Sequence, residues 1–340
     1  MKAMASSTID ISIHGIWHTV PAVEIDGTVI AVTGKWLRVA VIHDEDFLDT
    51  DLPDPELCIT RLKARSGTRA DIFTFGQKLP DCAPQYDYPM EWDSVAAVRT
   101  ADFRTWWNNL PQESRKNVRR AQKRGVHVVV KPLDNELIGD IVDLNNDCPI
   151  RQRKRFVHYG KTFDQVKKDQ AAFLGRSAYI CAYYENQLIG FLKMAYRGNV
   201  AAIVQILPRV SHHDKRPANA LLAKAVEVCE GKGVQFLTYG LFSYGKRRDS
   251  PLRQFKVRNG FEEFIVPRYY VPLTLWGRVC HRTGLHRGVI SVAPGWLMDI
   301  AARARAHLDM TRQGRCSSKA EQPNLSSADG AFESSRRLQS

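Results

Sequence analysis

Between residues 126 and 273, short apolar runs alternate with capped amphipathic segments, and this pattern constrains the chain more than any other feature. Val126–Lys131, a β-branched run after Gly125, predicts a strand. Asp134 is placed to cap a helix with Leu137, Ile138, Ile141 and Val142 on one face. Thr162 and Gln165 have capping-box spacing and open a second helix, expected to reach Leu174 with Phe163, Val166 and Phe173 inward. Three strands follow, AYICAYY, LIGFLKMAY and VAAIVQIL, joined by Glu185-Asn186-Gln187 and Arg197-Gly198-Asn199. Such short turns make antiparallel neighbours. Pro217 opens a helix through Leu221, Leu222, Ala225, Val226 and Cys229, closed by Gly231 or Gly233. Val234–Tyr239 is a strand, Ser250-Pro251 and Asn259-Gly260 bound a further helix, and Phe261–Leu273 is extended. The order β-α-α-β-β-β-α-β-α-β predicts an α+β fold with a mixed, mainly antiparallel sheet flanked by helices.

A length of 340 residues suits two modest cores plus tails. From Ile11 to Phe75 the runs VEIDGTVIAVTG, KWLRVAVI, CITRLKARSG and DIFTF, with turns at Asp26-Gly27 and Ser66-Gly67, predict a reduced, β-rich N-terminal lobe over 1–98. The acidic stretch 44–56 lacks the glycine and spaced ligands of a calcium loop and reads as solvated. Within a connecting segment 99–125, PQESRKNVRRAQKRG predicts a helix bearing Arg115, Lys116, Arg119, Arg120, Lys123 and Arg124. Such a helix is either a solvated connector or a ridge that seeks phosphate, since neighbouring cations repel unless an anion relieves them.

Charge divides the chain. Residues 1–98 carry 8 Lys+Arg against 15 Asp+Glu, residues 99–340 carry 41 against 21, and the whole is +13. The basic part attracts phosphate-bearing partners: nucleic acid, nucleotide-sugars, coenzyme A or anionic lipid headgroups. Seven scattered cysteines make no CxxC or CxxH spacing, so neither a disulfide framework nor a zinc site is expected, and no metal is assigned. The N-terminus has no apolar core of signal-peptide length, and no apolar run approaches the ~20 residues of a membrane-spanning helix. The expectation is a cytoplasmic protein without a transmembrane segment, with peripheral membrane contact left open. Residues 274–310 mix Trp276, Val279, Leu285, Ile290 and Trp296 with Arg278, Arg282, Arg287 and Arg303. They read as a basic amphipathic segment able to lie on an anionic membrane, or as a C-terminal helix packed on the preceding domain. Residues 311–340 are polar and are expected to be disordered.

The element order over 126–273 resembles the GNAT acyltransferase fold, and four stretches point to its Fem-type and polysaccharide-cluster branch. SRKNVRRAQKRGV resembles the "RxNVRKAxKxGV" stretch of that branch; RPANALLAKAVEVCEGKGVQFLTYG resembles its "NALLxxAIxxAxxxGxxxxDxG" helix and strand. PLRQFKVRNGFEEF resembles its "FKxxFG" element, and RYYVPLT the end of the last strand in polysaccharide-cluster acyltransferases. The resemblance covers about residues 100–273 and implies a GNAT-like catalytic domain over 126–273, with 1–98 as a partial GNAT-like lobe. It also implies an N-acyltransferase that binds no permanent cofactor and takes acyl-CoA as co-substrate. The acceptor would be an amine on a small molecule or on a nucleotide- or lipid-linked sugar, in polysaccharide or cell-envelope precursor assembly. A Fem-like aminoacyltransferase using aminoacyl-tRNA is the second reading, and a non-catalytic module binding nucleic acid or membrane the third.

One departure bears on the donor. GNAT enzymes hold the coenzyme A pyrophosphate on a glycine-rich turn whose backbone amides reach the phosphates. The aligned turn here is His213-Asp214-Lys215-Arg216-Pro217-Ala218, where Arg216 stands at the first glycine position and Pro217 removes a donor. Lys215 and Arg216 can substitute charge-assisted contacts, alongside Ala218 and Asn219 at the helix start. The resemblance places the reacting carbonyl between the strands ending in Val204–Leu207 and Leu237–Gly240. Gln205 then suits orientation of substrate or water, or else an exposed strand face. Tyr239 and Tyr244 are candidate general acids for the leaving group, or substrate-orienting or packed hydroxyls. The Fem-type resemblance gives Lys256 to donor or phosphate contact. In the loop before the second helix, Arg153, Arg155, Tyr159 and Lys161 are candidate acceptor contacts, and His158 is a candidate base or a structural histidine.

Overall fold

The computed structural model describes residues 7–13, 16–45, 51–64, 68–151, 154–243 and 250–287. The first half contains β1 (Ser7–Ile13), β2 (Ile16–Ile25), β3 (Thr28–Thr33), β4 (Val39–Ile42), α1 (Pro55–Lys63), β5 (Ile72–Gly76) and β6 (Met90–Arg99). Two helices, α2 (Phe103–Asn109) and α3 (Gln112–Lys123), lead into β7 (His127–Lys131) and α4 (Asn135–Asn145). The two-residue strands β8 (Ile150–Arg151) and β9 (Lys154–Arg155) precede α5 (Phe163–Gln170). Then come β10 (Ser177–Tyr184), β11 (Gln187–Arg197), β12 (Val200–Pro208), α6 (Pro217–Gly231), β13 (Phe236–Leu241), α7 (Pro251–Arg258), β14 (Glu262–Pro272) and α8 (Leu275–Arg282).

Twelve strands form one sheet in the order β1-β2-β3-β4-β5-β14-β6-β13-β12-β11-β10-β7. Among the described residues, only β4 with β5 and β12 with β13 pair in parallel; each other pair is antiparallel. The fold is therefore the mixed, mainly antiparallel α+β arrangement expected, with the 126–273 elements in the expected order apart from the short β8–β9 pair in the stretch read as a basic loop. The halves share a pattern: three antiparallel strands in sequence, a crossover helix, then a parallel strand. β2-β3-β4-α1-β5 runs this way, and so does β10-β11-β12-α6-β13. They also interleave, because β14 lies between β5 and β6, and β6 between β14 and β13.

Local chemistry explains the details. Asp26 and Gly27 (φ 48° and 73°) and Glu185 and Asn186 (φ 48° and 62°) sit in the left-handed region that two-residue hairpin loops require. CITRLKARSG, read above as strand, instead supplies most of α1. Asp54 caps it by accepting from the Leu57 amide at 2.8 Å, Pro55 occupies its first turn, and Cys58, Ile59 and Leu62 face inward at helical spacing. Of KWLRVAVI only Val39–Ile42 is strand. The second helix ends at Gln170 rather than Leu174, since Phe173 adopts φ 61°, and Phe163, expected inward, faces solvent. The turn at Ser66-Gly67 lies outside the described residues.

Helices cover both faces of the second half. Helix α6 and α3 bury Leu221, Leu222, Val226, Val118 and Ala121 with the strand residues Ile189, Leu192 and Ile203. On the other face α4 and α5 bury Leu137, Ile141 and Val166 with Phe191 and Leu207. Burying whole side chains of this size contributes about 1.5–3 kcal/mol each and sets which way the polar residues between them point. Along α3, Lys116, Arg119, Arg120, Lys123 and Arg124 are exposed.

Candidate active site

Parallel pairing between β12 and β13 lasts for three registers, Val200 with Phe236, Ala201 with Leu237 and Ala202 with Thr238. Beyond these the strands part: β12 continues to Pro208 against β11 alone, and β13 to Leu241 against β6 alone. An irregularity stands on each side of the opening. Lys193 pairs with Gln205 and Met194 with Ile203, which leaves Val204 as an extra residue in β12. Thr238 pairs with Ala97 and Leu241 with Val95, which sets Tyr239 and Gly240 against Ala96, with Gly240 at φ 54°. Bulges end pairing and sharpen strand twist, so the two together hold the strands apart. The backbone edge of β12 beyond Ala202 thus faces a gap without a ladder to β13.

The first half has the matching pair, β4 and β5, also joined by three parallel registers. There the end of the pair is closed. Arg268 on β14 bonds Glu45 at 2.9 Å and Asp93 at 2.6 Å, and Glu45 also accepts from the Gly76 amide at 2.6 Å. Burial works against the guanidinium's charge, but Glu45 and Asp93 outweigh it and hold Arg268 firmly protonated. The stretch 44–56 is thus only partly a solvated loop: Glu45 belongs to this buried cluster and Asp54 to the α1 cap. Of the two matching strand pairs, the second-half one stays open among the described residues.

Tyr239 is fully buried beside the gap. Lys256, from α7, is also fully buried, with its ammonium 4.8 Å from the Tyr239 ring centroid and donating to the Leu241 carbonyl at 2.6 Å. Burial pushes this amine down from 10.5 to about 7. Lys256 therefore meets the inner end of β13 rather than solvent, which does not fit a surface phosphate contact. Tyr244 lies outside the described residues.

Gln205, directly after the bulge, is buried rather than on an exposed face. Its side-chain oxygen accepts from the Gln170 amide at 2.9 Å, and the Gln170 backbone carbonyl takes both the Lys193 ammonium (2.9 Å) and the Tyr179 hydroxyl (2.8 Å). Gln170 thereby fixes the C-terminal end of α5 against β10, β11 and β12. Lys193 was the overlooked member of this network, and the signal was present: one cation inside the apolar run LIGFLKMAY has to find oxygen partners once buried.

The turn before α6 keeps the backbone shape that a glycine would give. Arg216 is the N-cap at φ 58° and ψ 42°, without a side-chain cap, and Pro217 follows in the first turn. The Arg216 Nε is buried without a hydrogen-bond partner among the described residues. Lys215 lies over the Tyr184 ring at 3.8 Å, and Arg124 holds Asp214 at 2.9 Å. Burial, reinforced by Arg151, pushes His213 down to about 4. Ala218 packs against the core, while Asn219 donates to Asn259 at 2.9 Å and ties α6 to the end of α7. Of the five proposed donor contacts, Arg216 has the free polar atom, whereas the side chains of Asn219, Lys215 and Lys256 are engaged within the protein.

The acceptor loop divides similarly. Arg155 and Tyr159 are exposed, and Arg153 lies outside the described residues. His158 and Lys161 turn inward onto Asp169 at 3.7 and 2.6 Å, and Asp169 also accepts from the Trp17 indole at 3.1 Å. Burial alone would raise Asp169, but the bonds from His158 and Lys161, the Lys161 charge and the Trp17 bond hold it below the usual carboxylate value. This cluster fastens α5 to β2 of the first half. His158, read as a candidate base or a structural histidine, is buried with its ring beside the Asp169 carboxylate.

A concavity of about 480 Å³ lies between α2, α3, β7 and α6, lined by Trp107, Val118, Arg119, Val128 and Ala223 among others, and includes no residue of β12 or β13. Among the described residues no group of three His, Cys, Asp or Glu is disposed to hold a metal, and no helix is long and apolar enough to cross a membrane.

No family model matches the chain, and no curated protein matches it in sequence. Solved structures resemble it at low identity. L-PGS from Bacillus licheniformis is 13% identical at TM-score 0.48, covering 75% of this chain and 86% of that one. FemX is 10% identical at TM-score 0.45, covering 78% and 88%. A tandem GNAT protein from the clavulanic acid biosynthesis pathway is 11% identical at TM-score 0.40, covering 75% and 83%.

Proposed function

We propose that the protein is an N-acyltransferase that moves an acyl group from an activated donor, a thioester such as acyl-CoA, to an amine of a phosphate- or sugar-bearing acceptor. The observation that carries this reading is the gap between β12 and β13, open after Ala202 and Thr238 and bounded by two bulges. A carbonyl lying there meets backbone amides on the unpaired β12 edge, which polarise it and take up the developing oxyanion charge. The neutral amine attacks the carbonyl carbon; the C–N bond forms as the C–S bond breaks, the nitrogen loses one proton and the leaving sulfur gains one. The Tyr239 hydroxyl is the candidate donor of that second proton, and a protonated Lys256 beside it favours negative charge in the gap. Gln205, held by Gln170, orients the substrate from the β12 side. A nucleotide- or lipid-linked sugar fits the exposed Arg155 and Tyr159 of the loop before α5, with cell-envelope precursor assembly as the setting.

The turn before α6 favours a second reading, aminoacyl transfer from aminoacyl-tRNA. Pro217 cannot donate to a pyrophosphate and Lys215 is engaged by Tyr184, so the coenzyme A cradle is reduced to Arg216 and the remaining amides of the helix start. Calorimetry with acetyl-CoA and longer acyl-CoAs, paired with transfer assays from charged tRNA to amines, separates the two. Heat at submillimolar acyl-CoA supports the first reading; transfer from charged tRNA with no acyl-CoA binding selects the second. Failure with both donor classes overturns acyl transfer altogether.

A further inference from the structure

Helix α8 is turned so that its apolar side chains face away from the protein. Gly277 and Cys280 form its buried side, and a Cβ at Gly277 would come within 1.9 Å of the Asp71 carbonyl oxygen, so the helix backbone lies directly on the start of β5 and cannot roll. Thr274 caps the helix by accepting from the Gly277 amide at 3.0 Å and anchors it by donating to Asp71 at 2.9 Å. This seating leaves Leu275 78% exposed, Val279 48% and Trp276 46%. Trp36, in the loop before β4, is 50% exposed beside them. The Trp276 indole donates to the Trp36 carbonyl at 3.1 Å and the two rings meet edge-on at 6.3 Å, so the patch is a fixed surface built from both ends of the described chain.

Cations predominate around the patch. Lys35, Arg38, Arg278 and Arg282 are exposed next to these residues in sequence, and none forms an ion pair among the described residues. Two carboxylates lie nearby: Glu91 is paired with His286 and Arg287, while Asp71, under the helix, accepts from the Thr274 hydroxyl and the Arg38 amide and keeps its charge, so four exposed cations face one uncompensated carboxylate. At 100° per residue Arg278 and Arg282 flank Leu275 and Val279 on the outward arc of α8. Two tryptophans, a leucine and a valine rimmed by unpaired cations match the interface of an anionic bilayer, where indoles sit at headgroup depth and lysine and arginine meet lipid phosphates.

We propose that the α8–Trp36 face is a peripheral membrane-docking surface selective for anionic phospholipid. It does not depend on the acyl-transfer reading. The test is cosedimentation of the full chain with vesicles of phosphatidylcholine alone and with an equal mixture of phosphatidylcholine and phosphatidylglycerol. Binding is expected only to the mixed vesicles and should weaken as salt rises. Leu275→Ser with Val279→Ser should lower the partition coefficient about tenfold or more, and each of Arg278→Gln and Arg282→Gln about fivefold. These side chains are exposed, so the circular dichroism and melting temperature of the variants should match the parent. Equal binding to neutral vesicles, no vesicle binding, or mixed-vesicle binding untouched by the Leu275/Val279 pair would each overturn the proposal. So would self-association of the parent that this pair abolishes, which would make the face a contact between copies.

Discussion

The Lys256 ammonium sits 4.8 Å from the centre of the Tyr239 ring, and both residues are wholly buried. The amine keeps its proton to about pH 7 in the folded chain but to 10.5 when unfolded, because burial penalises the charged form. Between those values the unfolded chain holds more protons, so the Lys256 contribution to stability rises with pH across the window and is most unfavourable below it. Lys256→Met should therefore melt higher than the parent below pH 7, and the difference should shrink towards pH 10.5, in a series of calorimetric scans. An offset constant across the series would mean that Lys256 does not titrate in this range. If its charge also assists transfer, kcat/KM should fall on an alkaline limb centred near pH 7, a limb that Lys256→Met lacks.

Arg216 holds a left-handed backbone at φ 58°, which costs an L-residue other than glycine about 1 kcal/mol or more. Arg216→Gly should raise the urea midpoint by the equivalent of about 1 kcal/mol. The same change should weaken donor binding, since the guanidinium with its unpartnered Nε goes with it. Lys215→Ala with Arg216→Ala should weaken donor binding while leaving stability nearly unchanged. Donor affinity that survives both variants would remove Arg216 from the phosphate site.

Much of this was legible in the sequence, for a definable reason. Strands and helices from 126 to 273 follow local signals, such as the Thr162–Gln165 capping box and Pro217 at a helix start, and these act within a few residues. The α1 stretch was misread because TRLKAR alternates like a strand, whereas Asp54 and Pro55, just upstream, fix it as a helix. The site was less legible. The gap was expected from a family resemblance, but what lines it depends on pairings far apart in sequence, such as Gln170 with Gln205 and Glu45 with Arg268. His158 offered no local sign that Asp169 and Trp17 would enclose it.

Asp169 joins three elements through His158, Lys161 and Trp17, and its folded carboxyl titrates below 3.8. A depressed carboxyl stabilises the fold above its unfolded value and loses that contribution as pH falls through the folded one. Asp169→Asn should cost about 1–3 kcal/mol at neutral pH, by denaturant titration, because it removes the charge that accepts from half-buried Lys161 and faces His158. The variant should also lose less stability than the parent on acidification below pH 3.8. Equal acid sensitivity would place the parent's acid limb elsewhere.

Arg268 closes the first-half counterpart of the β12–β13 gap by bridging Glu45 and Asp93. Removing the cation leaves two buried carboxylates facing each other, the most damaging way to break such a cluster, so Arg268→Met should lose about 3–5 kcal/mol. Arg268→Met with Glu45→Gln and Asp93→Asn removes all three charges and should recover most of that loss, since an uncharged cluster of similar shape escapes the desolvation cost. Denaturant titration of the single and triple variants measures both effects. If the triple variant were no more stable than the single one, the cluster would matter through its shape and hydrogen bonds, such as the Glu45 bond to the Gly76 amide, and not through charge balance.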